Sequence, residues 1–244
     1  MNYYNYFTEV EEHFVRRRGK HMFVSPLDWS LIATWRESGV PLHVALRGVD
    51  IAMDTWHSKP RRETDRLGTL FYCHDAVMAE YARHLEAHLG ETKEELPAGT
   101  AGSANRSGQE AAETDKKALL EFLKARILEI ETARAKHYSR ADAAGIERIL
   151  SRLKEVSNSV TSEEHPETEA LERDLGMLDE LLVSLLREKL AKETIEEWEQ
   201  DAKKELKVYK KQLDKETYQK ILDNFLRGKI HRLFGVGELS LFYL

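Results

Sequence analysis

One stretch of the chain, Pro97–Gly108, contains no large apolar side chain. Its sequence, PAGTAGSANRSG, consists of small and polar residues. Such a segment cannot bury enough apolar surface to offset the conformational entropy that is lost when a chain becomes ordered. We therefore predict a flexible linker over residues 91–117, between a domain of residues 1–90 and a domain of residues 118–244. An ordered functional loop is the alternative for a segment of this length.

Apolar residues on both sides of this segment recur at spacings of three and four, which is typical of amphipathic helices. One N-terminal stripe consists of Leu42, Ala45, Val49, Ala52 and Trp56. One C-terminal stripe consists of Ile146, Ile149, Leu150 and Leu153. These patterns predict an all-α fold, with a small N-terminal helical domain and a C-terminal helical bundle or extended helical hairpin.

A longer leucine pattern follows in the C-terminal part. Its members alternate spacings of four and three: Leu171, Leu175, Leu178, Leu182 and Leu185. The pattern lasts for about two heptads, whereas a coiled coil is indicated by three or four, so we interpret it as a bundle helix. After Trp198 the sequence becomes mostly charged, which predicts a helix that faces solvent.

Composition narrows the class of protein. The formal net charge is -6, and neither residues 1–90 nor residues 116–244 carry an excess of basic over acidic residues. The chain therefore lacks the broad positive charge of a strong non-specific nucleic-acid binder. No apolar run approaches the length of a membrane span, the aromatic and acidic N-terminus does not resemble a signal peptide, and there is a single cysteine, Cys73. We predict a cytoplasmic protein that does not associate with a membrane.

Two helices near the N-terminus are predicted to form a pair that resembles a helix-turn-helix. The first, Ser25–Trp35, begins with a capping-box pattern of Ser25 and Asp28, and the second is Pro41–Trp56. A short turn with a glycine joins them, as in many DNA-reading motifs. The polar face of the second helix carries His43, Arg47 and Asp50, of which Asp50 would repel phosphate. Simple packing of a helical hairpin is the alternative.

The same part of the chain resembles a known family. From about residue 6 to residue 89, an aromatic helix is followed by SPLDWSLIATW and then by GVPLHVALRGVDIAM. This order resembles the DnaD-like helical domain of bacterial primosome proteins. The resemblance implies a helical module with a non-catalytic role in association with DNA or with a primosome.

Two basic clusters are candidates for nucleic-acid binding. The six arginines are Arg16, Arg17 and Arg18 at the end of the first helix, and Arg61, Arg62 and Arg66 in a following loop. Basic residues at a helix C-terminus also interact favourably with the helix dipole. Solvated surface is therefore the alternative interpretation of both clusters.

A second kind of chemistry is suggested by Glu80, His84 and His88, which lie four residues apart on one predicted helix. Side chains at this spacing share a face and can bind a metal ion. The set lacks a further ligand, so we predict that no metal or cofactor is bound and interpret these residues as part of an exposed helix face. Cys73 and His74 are neighbours in sequence and do not constitute a catalytic pair, and we predict a buried structural thiol.

The C-terminal segment GVGELSLFYL is unusually apolar for a chain end. Leu239, Leu241, Phe242 and Tyr243 are candidates for binding a partner protein. The alternative is that the segment docks within the chain, against the helices of residues 120–190.

Taken together, these patterns favour a non-enzymatic cytoplasmic interaction protein, with DNA transactions as one setting and another protein as the main partner. The alternative is a metal-dependent protein that uses Glu80, His84 and His88. The sequence contains no complete catalytic constellation, and it leaves the oligomeric state open.

Overall fold

The computed structural model describes residues 6–19, 24–59, 67–89, 107–139, 143–162 and 167–243. Within these ranges the chain forms α-helices and two short 3-10 turns, and no strand. The helices are α1 (Tyr6–Arg18), α2 (Pro26–Glu37), α3 (Leu42–Ser58), α4 (His74–Leu89), α5 (Ser107–His137), α6 (Ala144–Ser162), α7 (Thr168–Arg187), α8 (Lys192–Leu206) and α9 (Lys215–Phe234). The predicted all-α fold is confirmed. Among the described helices, none is both long and apolar enough to cross a membrane.

The helices belong to two compact units. The first unit combines Asn5–Leu96 with Glu196–Leu226, and the second combines Pro97–Ile195 with Arg227–Leu244. This grouping differs from the division predicted from sequence, because residues 196–226 belong with the N-terminal helices. The unit boundaries fall within α8 and α9, where no change of composition marks them.

The predicted linker, residues 91–117, is shorter than the sequence indicated. Helix α5 begins at Ser107, so residues 107–117 are helical. We selected the linker by its lack of large apolar residues, whereas Ala, Glu and Lys in this stretch are strong helix formers. The remainder of the predicted linker lies outside the described residues.

The turn between α2 and α3 is held by hydrogen bonds from two tyrosines. Tyr6 Oη donates to the carbonyl of Val40 (3.1 Å), and Tyr81 Oη donates to the carbonyl of Ser38 (3.0 Å). Between them, Gly39 has a φ of +80°, a conformation that residues with a Cβ rarely adopt. These contacts fix the direction in which α3 leaves α2.

The N-terminus of α2 forms the predicted capping box. Asp28 N–H donates to Ser25 Oγ (3.1 Å), and Ser25 N–H donates to Asp28 Oδ2 (3.2 Å). The other oxygen of Asp28 accepts from Thr69 Oγ1 (2.6 Å) and from Leu70 N–H (2.8 Å). One buried carboxylate therefore caps α2 and also ties it to the segment that precedes α4.

Helices α3 and α4 approach very closely at Gly48. A Cβ atom at this position would lie 2.5 Å from the Cα atom of Val77. Only glycine allows the two backbones to come this near without displacement. This approach brings the residues that flank Gly48 and the residues one turn after Val77 next to each other.

Residues 196–226 belong to the first unit and attach to it through a few side chains, while most residues between Trp198 and Leu213 are exposed, as their charged sequence predicted. Ala202 and Leu206 are fully buried, and the ring of Tyr209 stacks on that of Phe71 at 4.6 Å between centroids. Asn224 Nδ2 donates to Glu37 Oε2 (3.0 Å) and lies 3.3 Å from Thr34 Oγ1. A few apolar anchors suffice to bury one side of a mostly charged segment, which composition alone does not reveal.

The second unit is a helical bundle with a leucine- and isoleucine-rich core. Its α5, α6 and α7 each bury an apolar stripe, and the members of the predicted leucine pattern that are fully buried are Leu171, Leu175 and Leu182. Leu178 and Leu185 are half-buried. The Leu185 side chain lies close to Gly145 at the start of α6, so this pattern is satisfied within the chain.

We expect Gly48→Ala to destabilise the first unit. The added methyl group would overlap the backbone of Val77, and overpacking of this kind costs about 1–3 kcal/mol. All four tryptophans lie in the first unit, so their fluorescence during denaturant unfolding measures this loss.

The matched control is Gly176→Ala in α7, where no atom lies within 4 Å of the added Cβ. There the higher helix propensity of alanine should stabilise the second unit by about 0.5–1 kcal/mol, as followed by circular dichroism. Equal effects of the two substitutions would contradict the close approach at Gly48.

Candidate nucleic-acid interface

A polar cluster lies where α3 and α4 come together, and we call it the α3–α4 face. It consists of His43 and Arg47 from α3 and Glu80, Arg83 and His84 from α4. The rings of His43 and His84 meet edge to face, with 5.3 Å between their centroids. The sequence suggested His43 and Arg47 for one function and Glu80 and His84 for another, and the fold unites them.

Glu80 is the buried centre of this face. Its side chain is 5% exposed, whereas those of Arg47 and Arg83 are 65% and 64% exposed. Arg83 Nη1 lies 2.5 Å from Glu80 Oε1, and Arg47 Nη1 lies 3.9 Å from Glu80 Oε2. The contact of Glu80 Oε1 with Arg83 is an ion pair, and its geometry does not meet the criteria for a hydrogen bond. The carboxylate thus holds two guanidinium groups near the surface while both stay accessible to solvent.

The acidic residues farther along α3 form ion pairs with α1, where a single cation, Arg17, serves both Asp50 and Asp54. Asp50 Oδ1 lies 2.8 Å from His13 Nε2 and 3.1 Å from Arg17 Nε, and Arg17 also pairs with Asp54. The sequence indicated that Asp50 would repel phosphate. These ion pairs reduce that repulsion, because a cation from α1 stands beside each carboxylate.

The first predicted basic cluster is largely engaged within the chain. Arg17 is committed to Asp50 and Asp54, and the Arg18 guanidinium carbon lies 5.1 Å from the centroid of the Phe14 ring. Arg16 is exposed. The members of the second cluster, Arg61, Arg62 and Arg66, lie outside the described residues.

Glu80 and His84 of the candidate metal set have other neighbours in the structure. Among the side chains that it describes, no group of three His, Cys, Asp or Glu residues is arranged to hold a metal ion. Glu80, the carboxylate of the predicted set, lies against two guanidinium groups, which compete with a cation for it. His84 faces His43, and the backbone of His88 belongs to α4 while its side chain lies outside the described residues.

Cys73 is a buried thiol, as predicted. Burial, together with the negative charge of Asp28, raises the pKa of this thiol to about 12. The neighbouring His74 accepts a hydrogen bond at Nδ1 from Trp35 Nε1 (3.0 Å), and burial lowers its pKa. The thiol is therefore protonated at neutral pH, and the histidine has a structural partner in Trp35.

The C-terminal segment docks within the second unit. Leu239 and Leu241 are fully buried, and Phe242 and Tyr243 are half-buried. Of the two interpretations of this segment, docking within the chain is therefore the one that fits the structure. The partner-binding role predicted for Leu239 and Leu241 does not fit their burial, because neither side chain reaches the surface.

Three carboxylates from α5 and α7 hold the segment by its backbone. Alternate N–H groups donate to them: Gly237 to Glu129 Oε2 (2.8 Å), Leu239 to Asp179 Oδ1 (2.9 Å) and Leu241 to Glu172 Oε2 (2.7 Å). Ser240 Oγ adds a bond to Glu172 Oε1 (2.7 Å).

A buried ion pair locks the start of this segment to α7 and α9. His231 Nε2 lies 3.1 Å from Asp179 Oδ1, and His231 Nδ1 lies 3.2 Å from the carbonyl oxygen of Val236. Both oxygens can only accept, so both contacts are hydrogen bonds only when both ring nitrogens carry a proton. Burial opposes the charge of this doubly protonated ring, but the hydrogen bond and the charge of Asp179 raise the pKa of His231 overall. Burial also opposes the charge on Asp179, yet His231 and the Leu239 amide lower its pKa.

The sequence did not predict the contact between His43 and His84 or the buried pair of Asp179 and His231. His43 and His84 come from separate helices, and Asp179 and His231 are separated by 52 residues. Asp179 carried one local signal, because it lies among the leucines of α7 at a position that the helical pattern assigns to the core. A charged residue at such a position predicts a buried partner, although it does not identify that partner.

One family profile matches the N-terminal part of the chain. This profile, described as "Uncharacterised protein", matches residues 5–93, the segment that contains α1 to α4 and the α3–α4 face. No curated protein and no solved structure matches the chain. The resemblance to the DnaD-like domain stays a hypothesis, since none of these comparisons bears on it.

We expect the docking of the C-terminal segment to depend on pH at both ends of a defined window. His231 contributes fully below its ordinary pKa of 6.5, and its contribution is lost as the pH rises through its higher folded-state value. Asp179 contributes fully above its ordinary pKa of 3.8, and its contribution is lost as the pH falls through its lower folded-state value. Docking is therefore strongest between pH 3.8 and pH 6.5.

Hydrogen exchange of the Leu239 amide, corrected for its intrinsic rate, measures this dependence, because that amide donates to Asp179. In His231→Gln the loss of protection above pH 6.5 should disappear, and overall protection should fall because Asp179 is left buried without a counter-charge. An identical pH profile in the two proteins would show that His231 does not govern docking.

Proposed function

We propose that this chain is a non-enzymatic cytoplasmic interaction protein, and that its first unit associates with nucleic acid through phosphate contacts made by the α3–α4 face. The observation that carries the proposal is the pair of exposed guanidinium groups, Arg47 and Arg83, held over the buried carboxylate of Glu80. The DnaD-like resemblance of the same segment is consistent with such a role.

Arginine is well suited to this task. Its planar guanidinium group presents five N–H donors in a fixed fork that matches two phosphate oxygens. Glu80 uses only part of this donor set, since it lies 3.9 Å from Arg47 and meets Arg83 through one oxygen. The buried carboxylate pairs with both groups, and most of the surface of each arginine side chain stays accessible to solvent.

Local charge supports the proposal although the whole chain is acidic. The α3–α4 face carries two arginines against one carboxylate. The carboxylates of Asp50 and Asp54 are paired with residues of α1. A phosphate group that approaches this face therefore meets a net positive field.

Two arginines alone support only weak and salt-dependent association. Each phosphate that is neutralised contributes about 0.9 to the slope of log affinity against log salt concentration. A protein that works through this face alone would bind nucleic acid at low salt and release it at moderate salt. Stable association requires further contacts, from the same chain or from a partner protein.

We expect Arg47→Gln to weaken binding of a fluorescently labelled duplex oligonucleotide and to lower the salt slope by about 1. Arg47 is the better target because it is exposed and is the farther of the two arginines from Glu80, so its loss should leave the fold intact. Fluorescence anisotropy titrations at several salt concentrations provide the measurement.

The matched control is Arg148→Gln, which removes the same charge from an exposed position of α6 in the second unit. It should leave the affinity and the salt slope unchanged. If both variants reduce binding equally, net charge rather than the α3–α4 face is responsible. If the unaltered protein does not bind at low salt, the proposed function is wrong.

A further inference from the structure

We infer that the turn between α8 and α9 is a second phosphate-binding surface of the first unit, which contacts the backbone of the same nucleic acid. This inference rests on the proposed function and extends it to a different element. The lysine turn, as we call residues 203–215, has the sequence KKELKVYKKQLDK. It contains six lysines and two acidic residues in a chain whose net charge is -6.

The lysine turn is firmly anchored to the body of the unit. Leu206 and Leu213 are buried, and the ring of Tyr209 between them stacks on Phe71 with 19° between the ring planes. Backbone hydrogen bonds close the turn: Tyr209 N–H donates to Leu206 O (3.0 Å), and Gln212 and Leu213 N–H donate to Tyr209 O (2.9 and 3.2 Å). The inward positions 206, 209 and 213 follow helical spacing, so the residues between them are held outward.

Three of the outward residues are Lys207, Lys210 and Lys211, and all three are exposed. Among the described residues, no acidic side chain lies within ion-pair distance of any of them. The three lysines lie within five consecutive residues, and their long flexible stems can reach separate phosphates. The turn therefore presents three exposed ammonium groups that make no ion pair with a described acidic residue.

Two of the other charged residues of the lysine turn, Lys203 and Asp214, make contacts within the unit. Lys203 pairs with Glu199 (2.8 Å), and Asp214 caps α9 by accepting from Thr217 N–H (2.9 Å) and Thr217 Oγ1 (2.6 Å). Asp214 is therefore directed toward the helix that it caps. The remaining charged residues of the turn, Lys204, Glu205 and Lys215, are all exposed. Together these two lysines and one glutamate add one net positive charge.

The partner that fits this surface best is a nucleic-acid backbone rather than a lipid bilayer. Val208, at 78% exposure, is the apolar residue that the turn presents to solvent. Burying a single valine side chain provides too little free energy to insert the turn into a membrane. Regularly spaced phosphates, in contrast, can engage several lysines at once, and the same unit carries the arginines of the α3–α4 face.

The test compares variants of the full chain in salt titrations with a labelled duplex oligonucleotide. Lys207→Gln/Lys210→Gln/Lys211→Gln should weaken binding about tenfold or more at 0.1 M salt and lower the salt slope by about 2–3. The matched control, Lys117→Gln/Lys124→Gln/Lys136→Gln, removes the same charge from exposed positions of α5 in the second unit and should leave both unchanged. Val208→Ser should also bind normally.

Each other outcome has a distinct meaning. If Arg47→Gln weakens binding and the lysine-turn variant does not, the inference is wrong and the proposed function stands. If the lysine-turn variant weakens binding and Arg47→Gln does not, the inference stands and the α3–α4 face is wrongly assigned. Absence of binding by the unaltered protein at low salt overturns both. Capture by phosphatidylserine vesicles that is lost in Val208→Ser, without selectivity for the oligonucleotide, identifies a lipid surface and overturns the inference.

Discussion

The close approach of α3 and α4 at Gly48 determines the geometry of the candidate interface. Since no Cβ separates the two backbones, Arg47 lies beside the turn of α4 that carries Glu80 and Arg83. A larger residue at position 48 would separate the helices, and the carboxylate of Glu80 could no longer serve both arginines. The packing of two helices and the placement of the guanidinium groups therefore have one physical cause.

Buried carboxylates organise both units, and each is stabilised by groups that are distant in sequence. Asp28 accepts from the Thr69 hydroxyl and the Leu70 amide, and Asp179 accepts from the Leu239 amide and pairs with His231. Burying a carboxyl group removes its contacts with water, and these hydrogen bonds offset that loss. The need for these hydrogen bonds also makes the docking of the two segments specific, because a different position of either segment would leave a buried carboxyl group without its partners.

The sequence was sufficient to predict the elements that depend on neighbouring residues. Helical spacing predicted the all-α fold, and the pattern of Ser25 and Asp28 predicted the cap of α2, because both are local properties. The partners of Asp50 and Asp179 could not be predicted, since they come from α1 and α9. The linker was overestimated for a related reason: a lack of large apolar residues excludes a packed core, but it does not exclude a helix.

The distribution of charge explains why the sequence pointed to a weaker interface than the one proposed. In the net charge of residues 116–244, the lysines of residues 203–215 are balanced by acidic residues elsewhere in that range. The positive charge of this turn is therefore not visible in the total. Electrostatic attraction in physiological salt acts over about 8 Å, which is shorter than the dimensions of either unit. A phosphate group therefore responds to the ammonium groups of Lys207, Lys210 and Lys211 and not to the net charge of the chain. The assignment of residues 196–226 to the first unit gives these lysines their significance, because it places them on the body that also carries Arg47 and Arg83.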